Sequence, residues 1–229
     1  HTRYWRDWSS DVCSSDLIEP SDGSGKILGE QISHPERYLH SVGALIEGPA
    51  FYPALTGEEN LRVLATLGGF PHSRIASLLD LVGLSGRGDS KYKNYSLGMK
   101  QRLGIAAALL PEPRLLILDE PTAVLTPREA DALFVLLRRL RAEGRAVILV
   151  THKLREVMVV TDEVTVLRQG AVAGNFVTQR TSVEELAACM VGRAVALRPE
   201  RSAPRRGGVL LEAKGIDVVD AREIGRAHV

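Results

Sequence analysis

The chain has 229 residues, 45% of them hydrophobic, which is enough for one cored domain or at most two small ones. Lys plus Arg number 29 against 28 Asp plus Glu, so the formal net charge is +1; that balance excludes a disordered polyelectrolyte and gives no electrostatic case for nucleic acid as a partner. No apolar run approaches the ~18 residues of a membrane-spanning helix, no signal peptide is expected, and two cysteines, Cys13 and Cys189, make no disulfide framework, so a reducing compartment is the expectation.

Both tryptophans, Trp5 and Trp8, fall in the first 13 residues, a concentration that sets this end apart. DWSSDVCSSDL (residues 7–17) and EIGRAHV (223–229) are both encodable by one oligonucleotide read in opposite orientations, a string that resembles a short-read library adapter. Residues 1–17 and 223–229 are therefore expected to be tails that take no part in the function. Ile27-Leu28 is a brief apolar step between glycines, and residues 42–46 form a short apolar run of strand length. Residues 47–56 carry two prolines and are expected to be loop. Helical spacing follows over residues 74–82, with Ser73 as candidate cap and Gly83 beyond the end. Ser96 precedes a helix-forming stretch, 97–110, stopped by Pro111. Residues 115–118 are a fully apolar strand ending on Asp119 and Glu120. Pro127 then opens an amphipathic helix to about residue 143. Residues 146–150 are expected to be a second buried strand, ending at Thr151 and His152, and 153–160 a helix. Residues 164–168 and 171–176 flank Gln169-Gly170, a hairpin signal. Ser182 caps a helix over 183–190; residues 198–208, rich in Pro, Arg and Gly, are expected to be a linker, and 209–219 an opening strand.

Two apolar strands, each followed by a helix, predict a parallel sheet covered on both faces, with polar residues at the strand C-termini where open α/β sheets bind ligands. An apolar strand tipped by two acids, LLILDE at 115–120, suits phosphoryl transfer: the first acid holds a Mg²⁺ ion and the second positions or deprotonates water. Ser96 at a helix N-cap, with Gly98 permitting close backbone approach, makes an anion site from free N–H groups.

The string YSLGMKQRLGIAAALL followed by PRLLILDEPT resembles the signature helix and Walker B strand of ATP-binding cassette (ABC) transporter ATPases. The resemblance implies an α/β, P-loop NTPase-like ABC ATPase domain over residues 18–197, with a parallel sheet core and a helical signature subdomain. It implies ATP and Mg²⁺ as cofactors. Asp119 would hold the metal, Glu120 would be the general base and His152 the switch histidine. Glu47, in LIEGP, falls where the family has its Q-loop, contacting metal and γ-phosphate. Ser96, Leu97, Gly98, Met99 and Gln101 would grip the nucleotide of a second ABC ATPase domain, as a dimer or in tandem. Leu97 and Met99 replace a glycine and a glutamine of the commonest family form, and Thr126 stands where most members carry the D-loop aspartate. Transmembrane permease subunits, but no nucleic acid, are the implied partners, and the implied location is cytoplasmic, peripheral at the inner face of the cell membrane.

Asp22-Gly23-Ser24-Gly25-Lys26 is not a phosphate loop: the pattern needs Gly where Pro20 stands and Ser or Thr where Ile27 stands. EPSDGSGKILGEQI instead resembles the segment just downstream of that loop, so the P-loop strand and helix are expected to be lacking. MgATP binding far weaker than that of an intact cassette would follow. Residues 18–118 resemble exporter-type cassettes, whereas from Pro121 the chain resembles simple-sugar or nucleoside importer ATPases, with 209–222 as the start of a second cassette. A chimera joined within residues 116–122, without catalysis, is one alternative to a single divergent transporter ATPase. A non-transport ABC ATPase is another; the inserted arms or basic extensions typical of those are not seen.

Overall fold

The computed structural model describes residues 23–46, 51–193, 217–218 and 227–228. The chain divides into two compact units, residues 1–194 and 195–229.

The first unit opens on a tight hairpin. β1 (Lys26–Ile27) pairs antiparallel with β2 (Glu30–Gln31). The turn residues Leu28 and Gly29 both have positive φ, 53° and 95°, the backbone of a two-residue turn that matches strand twist. The central sheet has three parallel strands in the order β3 (Val42–Leu45), β4 (Leu115–Asp119) and β5 (Ala146–Val150). Leu45 stands opposite Leu118, and Asp119 opposite Val150.

Between β3 and β4 lie three helices: α1 (Gly57–Gly68), α2 (Ile75–Leu81) and α3 (Leu97–Ala108). α1 begins on a complete capping box, with the Thr56 hydroxyl accepting from Glu59 N–H and the Glu59 carboxylate accepting from Thr56 N–H, and it ends on Gly69 at φ 69°. This helix is absent from the sequence expectation. α2 is not capped by Ser73: a short 3₁₀ turn (His72–Arg74) starts after Pro71 and runs into the helix, so Ser73 lies inside helical backbone. α4 (Pro127–Ala142) joins β4 to β5, and α5 (Leu154–Val160) follows β5. β6 (Glu163–Arg168) and β7 (Ala171–Val177) form a hairpin through Gln169 (φ 53°) and Gly170 (φ 78°), and α6 (Val183–Val191) is capped by Ser182, as expected.

The main core joins one sheet face to the helices. Leu116 and Leu118 of β4 and Leu45 of β3 pack with Leu61, Leu103, Ile105, Leu133 and Leu137. β3 meets the end of α3 so closely that the Ala108 carbonyl occupies the place of a side chain at Gly43. The other face differs from expectation. Ala44, Ile46, Ile148 and Val150 are exposed, so among the described residues the sheet is covered on one face, and β5 is not the fully buried strand that its apolar run predicts. A smaller cluster, Val157, Val166 and Leu186, joins α5, the β6–β7 hairpin and α6. No helix among the described residues is long and apolar enough to cross a membrane.

In the second unit, Asp217–Val218 pairs antiparallel with Ala227–His228. The expected linker at 198–208 lies outside the described residues, as do the tail at 1–17 and most of 209–229.

Candidate functional site

Parallel strands bring their C-terminal ends to one edge, and the acids of β4 meet the polar pair after β5 there. Asp119 is the last residue of β4, half-buried. Glu120 extends the ladder by one bond, its N–H donating to Val150 O at 2.9 Å, and then turns into left-handed backbone at φ 43°. A non-glycine residue in that region stores about 1–3 kcal/mol, and such strain clusters at functional sites. The turn aims the Glu120 carboxylate at the end of β5. Oε1 accepts from His152 N–H at 3.0 Å and lies 2.5 Å from His152 Nδ1; Oε2 is 3.5 Å from the Thr151 hydroxyl. The imidazole is otherwise open to solvent, its side chain 73% exposed.

Behind this pair sits a polar knot. Thr122, fully buried, donates its hydroxyl to Glu156 at 2.7 and 2.8 Å. Lys153 Nζ donates to the Thr122 carbonyl and hydroxyl, both at 3.0 Å, and pairs with Glu156 at 3.4 Å. Lys153 N–H donates to the Thr151 hydroxyl. The segment carrying His152 is thus tied to the loop carrying Glu120 from both sides. Sequence reading singled out neither Thr122, Lys153 nor Glu156; the Lys153–Glu156 spacing of three on a helix is the signal that was present.

The second group forms around the start of α3. Ser96 is its N-cap, its hydroxyl accepting from Met99 N–H at 3.2 Å. That leaves the N–H groups of Leu97 and Gly98 without a partner among the described residues. Leu97 is exposed, Gly98 is buried and Met99 packs on the core. Gln101 is 9% exposed, turned inward rather than to the surface where a ligand would arrive. Tyr95 anchors the turn from behind: its hydroxyl donates to Arg87 O at 2.7 Å, and burial pushes its pKa up. Thr126, at the D-loop position of the resemblance, caps α4 through a second capping box with Glu129. The Thr126 backbone and hydroxyl bonds, then the Arg102 guanidinium, hold the Glu129 carboxyl below the usual carboxylate range. The structure thus gathers Asp119, Glu120 and His152 at one strand edge, and Ser96, Leu97 and Gly98 at one helix start. Glu47 lies outside the described residues.

Residues 13–123 match the ABC transporter family. The chain is similar to the bacitracin transport ATP-binding protein BcrA of Enterococcus faecalis, with 42% identity over 157 residues, 67% of this chain and 51% of that protein. It is also similar to the nucleoside import ATP-binding protein NupA of Lactococcus lactis subsp. cremoris, with 34% identity over 218 residues, 91% of this chain and 43% of that protein. The chain spans about half the length of the curated relatives it matches. A solved ATP-binding subunit of an ABC transporter superposes with a TM-score of 0.67 and 30% identity, covering 77% of this chain and 79% of that one. The α/β fold, the strand tipped by two acids and these likenesses agree: the chain belongs to the ATP-binding domains of the ABC transporter family.

Proposed function

We propose that the chain is part of an ATP-hydrolysing subunit of an ABC transporter, driving transmembrane permease subunits from the cytoplasmic face of the membrane. The observation that carries this reading is the bonding of Glu120 to His152 and Thr151 beside Asp119, in a chain of this family. Mg²⁺ fits the donor set. Asp119, at the end of β4, would hold the ion with a hard carboxylate oxygen. When bound, the ion neutralises charge on the nucleotide phosphates. Glu120 takes the proton of the attacking water through Oε2, whose contact with the Thr151 hydroxyl is long at 3.5 Å, while Oε1 stays with His152. His152 offers its exposed ring to the γ-phosphate, both ring nitrogens having to donate if it is to hold the Glu120 carboxylate and a phosphate oxygen together. Glu47 assists at the metal by family resemblance alone. The free N–H groups of Leu97 and Gly98, with Ser96 and Met99, serve the nucleotide of a second cassette; Gln101 supports that turn from the buried side.

A second reading, a stretch without catalysis of its own, is favoured by one observation. A phosphate loop leads into a helix. Here Gly23-Ser24-Gly25 leads Lys26 into a hairpin strand instead. Calorimetry with MgATP and a hydrolysis assay, on the wild-type chain and Glu120→Gln, separate the two. Under the first reading hydrolysis falls by about 10²- to 10⁴-fold in Glu120→Gln with nucleotide binding retained. Wild-type chain that neither binds MgATP at micromolar concentration nor hydrolyses it favours the second. Hydrolysis unchanged in Glu120→Gln overturns the assignment of the base.

A further inference from the structure

The carboxylate of Glu129, in the first turn of α4, is shared between two elements. Its Oε2 accepts from the Thr126 N–H and hydroxyl, both at 2.9 Å, closing the loop that began at Glu120. Its Oε1 lies 3.2 Å from Arg102 Nη2. Arg102 belongs to α3, and its other nitrogens reach Gly98 O at 3.4 Å, Val82 O at 3.4 Å and Gly83 O at 2.7 Å. The carboxylate also rests against Gly98. A Cβ at that position would come 2.9–3.2 Å from three Glu129 atoms. Glycine at 98 therefore makes room for a carboxylate of the same chain, independently of any ligand on the other side of the turn. Both partners are about three-quarters buried, with side-chain exposures of 23% and 26%, so the pair is less screened than an open surface pair.

We propose that Glu129 is a positioning residue that couples the Glu120–Thr126 loop to the Ser96–Gly98 turn, joining the hydrolytic half-site and the signature half-site of one chain into a single mechanical unit. The two halves serve different nucleotides in the proposed function, on which this inference rests. A displacement at Glu120 travels along a loop of seven residues to Thr126, through the Glu129 carboxylate, to Arg102 and Gly98. The exposed start of α3 is thereby set by the state of the strand edge. A side chain that merely capped α4 would not need the second contact.

Amide hydrogen exchange on the full chain, measured without nucleotide, tests this apart from the ATPase reading. Glu129→Gln keeps an oxygen for the Thr126 cap and loses the charge that faces Arg102. The amides of Met99 and Lys100, bonded to Ser96, report the signature turn; that of Ala130, bonded to Thr126 O, reports the cap. The expected result is exchange about threefold faster at Met99 and Lys100 in Glu129→Gln and in Arg102→Gln, with Ala130 unchanged. Gly98→Ala gives the same acceleration, and adding Glu129→Gln to it gives no more. Acceleration at Ala130 alone, no change at either place, or acceleration spread over the chain in both charge variants overturns the proposal.

Discussion

β4 and β5 lie side by side in register, are five residues long and are both almost wholly apolar, yet they occupy different surroundings. On the inner face Leu116 and Leu118 are fully buried, whereas their partners Val147 and Leu149 are half-buried; on the outer face Ile117 is half-buried, whereas its partner Ile148 is 49% exposed. The difference is position. β4 has a strand on each side and helices on its inner face; among the described residues, β5 ends the sheet and its outward side chains have no covering layer. An apolar run therefore states what a strand can bury, and neighbouring elements decide what it does bury.

That contrast can be sharpened or broken. Leu118→Ala should cost about 2–5 kcal/mol in chemical denaturation, and Ile148→Ala less than about 1 kcal/mol. Equal losses would mean that the outward face of β5 is covered in solution. The strand ends should differ in the same sense. Thr122→Val, behind the β4 edge, leaves Glu156 without its hydroxyl donor and should cost about 1–3 kcal/mol, with thermal melting as the check. Thr126→Ala removes only an exposed cap and should cost about 1 kcal/mol; a loss as large as that of Thr122→Val would place the loop's anchorage at α4 rather than in the buried knot. The smallest effect concerns pH. The folded Glu129 carboxyl is held below its ordinary value, so its contribution is present at neutral pH and is lost as pH falls below the usual carboxylate range toward the lowered folded value. Melts between neutral pH and about pH 3 should show a slightly shallower loss for Glu129→Gln than for wild type.

Much of the strand edge was legible in the sequence because its signals are local. LLILDE predicts a strand and its two acids, Pro127 the start of α4, Gln169-Gly170 a turn with two positive φ angles, and Ser96 and Ser182 their caps. α1 was missed although Thr56-x-x-Glu59 is a capping box, because the prolines before it and Gly57 at its first position argue for loop. Ser73 misleads because Pro71, with φ fixed at −69°, starts helical backbone one turn early. The Arg102–Glu129 pair and the bonds of Thr122 to Lys153 and Glu156 join residues from separate elements, and no spacing rule finds such contacts. The exposure of β5 escaped for the same reason.

The pairing of β3 with β4 sets an order of events in folding. Val42 and Leu115 are partners, with α1, α2 and α3 all lying between them in the chain, while Arg168 and Ala171 meet across a two-residue turn. Closing a long loop costs entropy before any contact repays it, whereas a hairpin with a suitable turn forms in about 1–10 μs. The β6–β7 hairpin should therefore appear early and the sheet bearing Asp119 and Glu120 late. During synthesis, the apolar residues of β3 must wait in the open until α3 and β4 have left the ribosome, and over that interval they are exposed to mispairing.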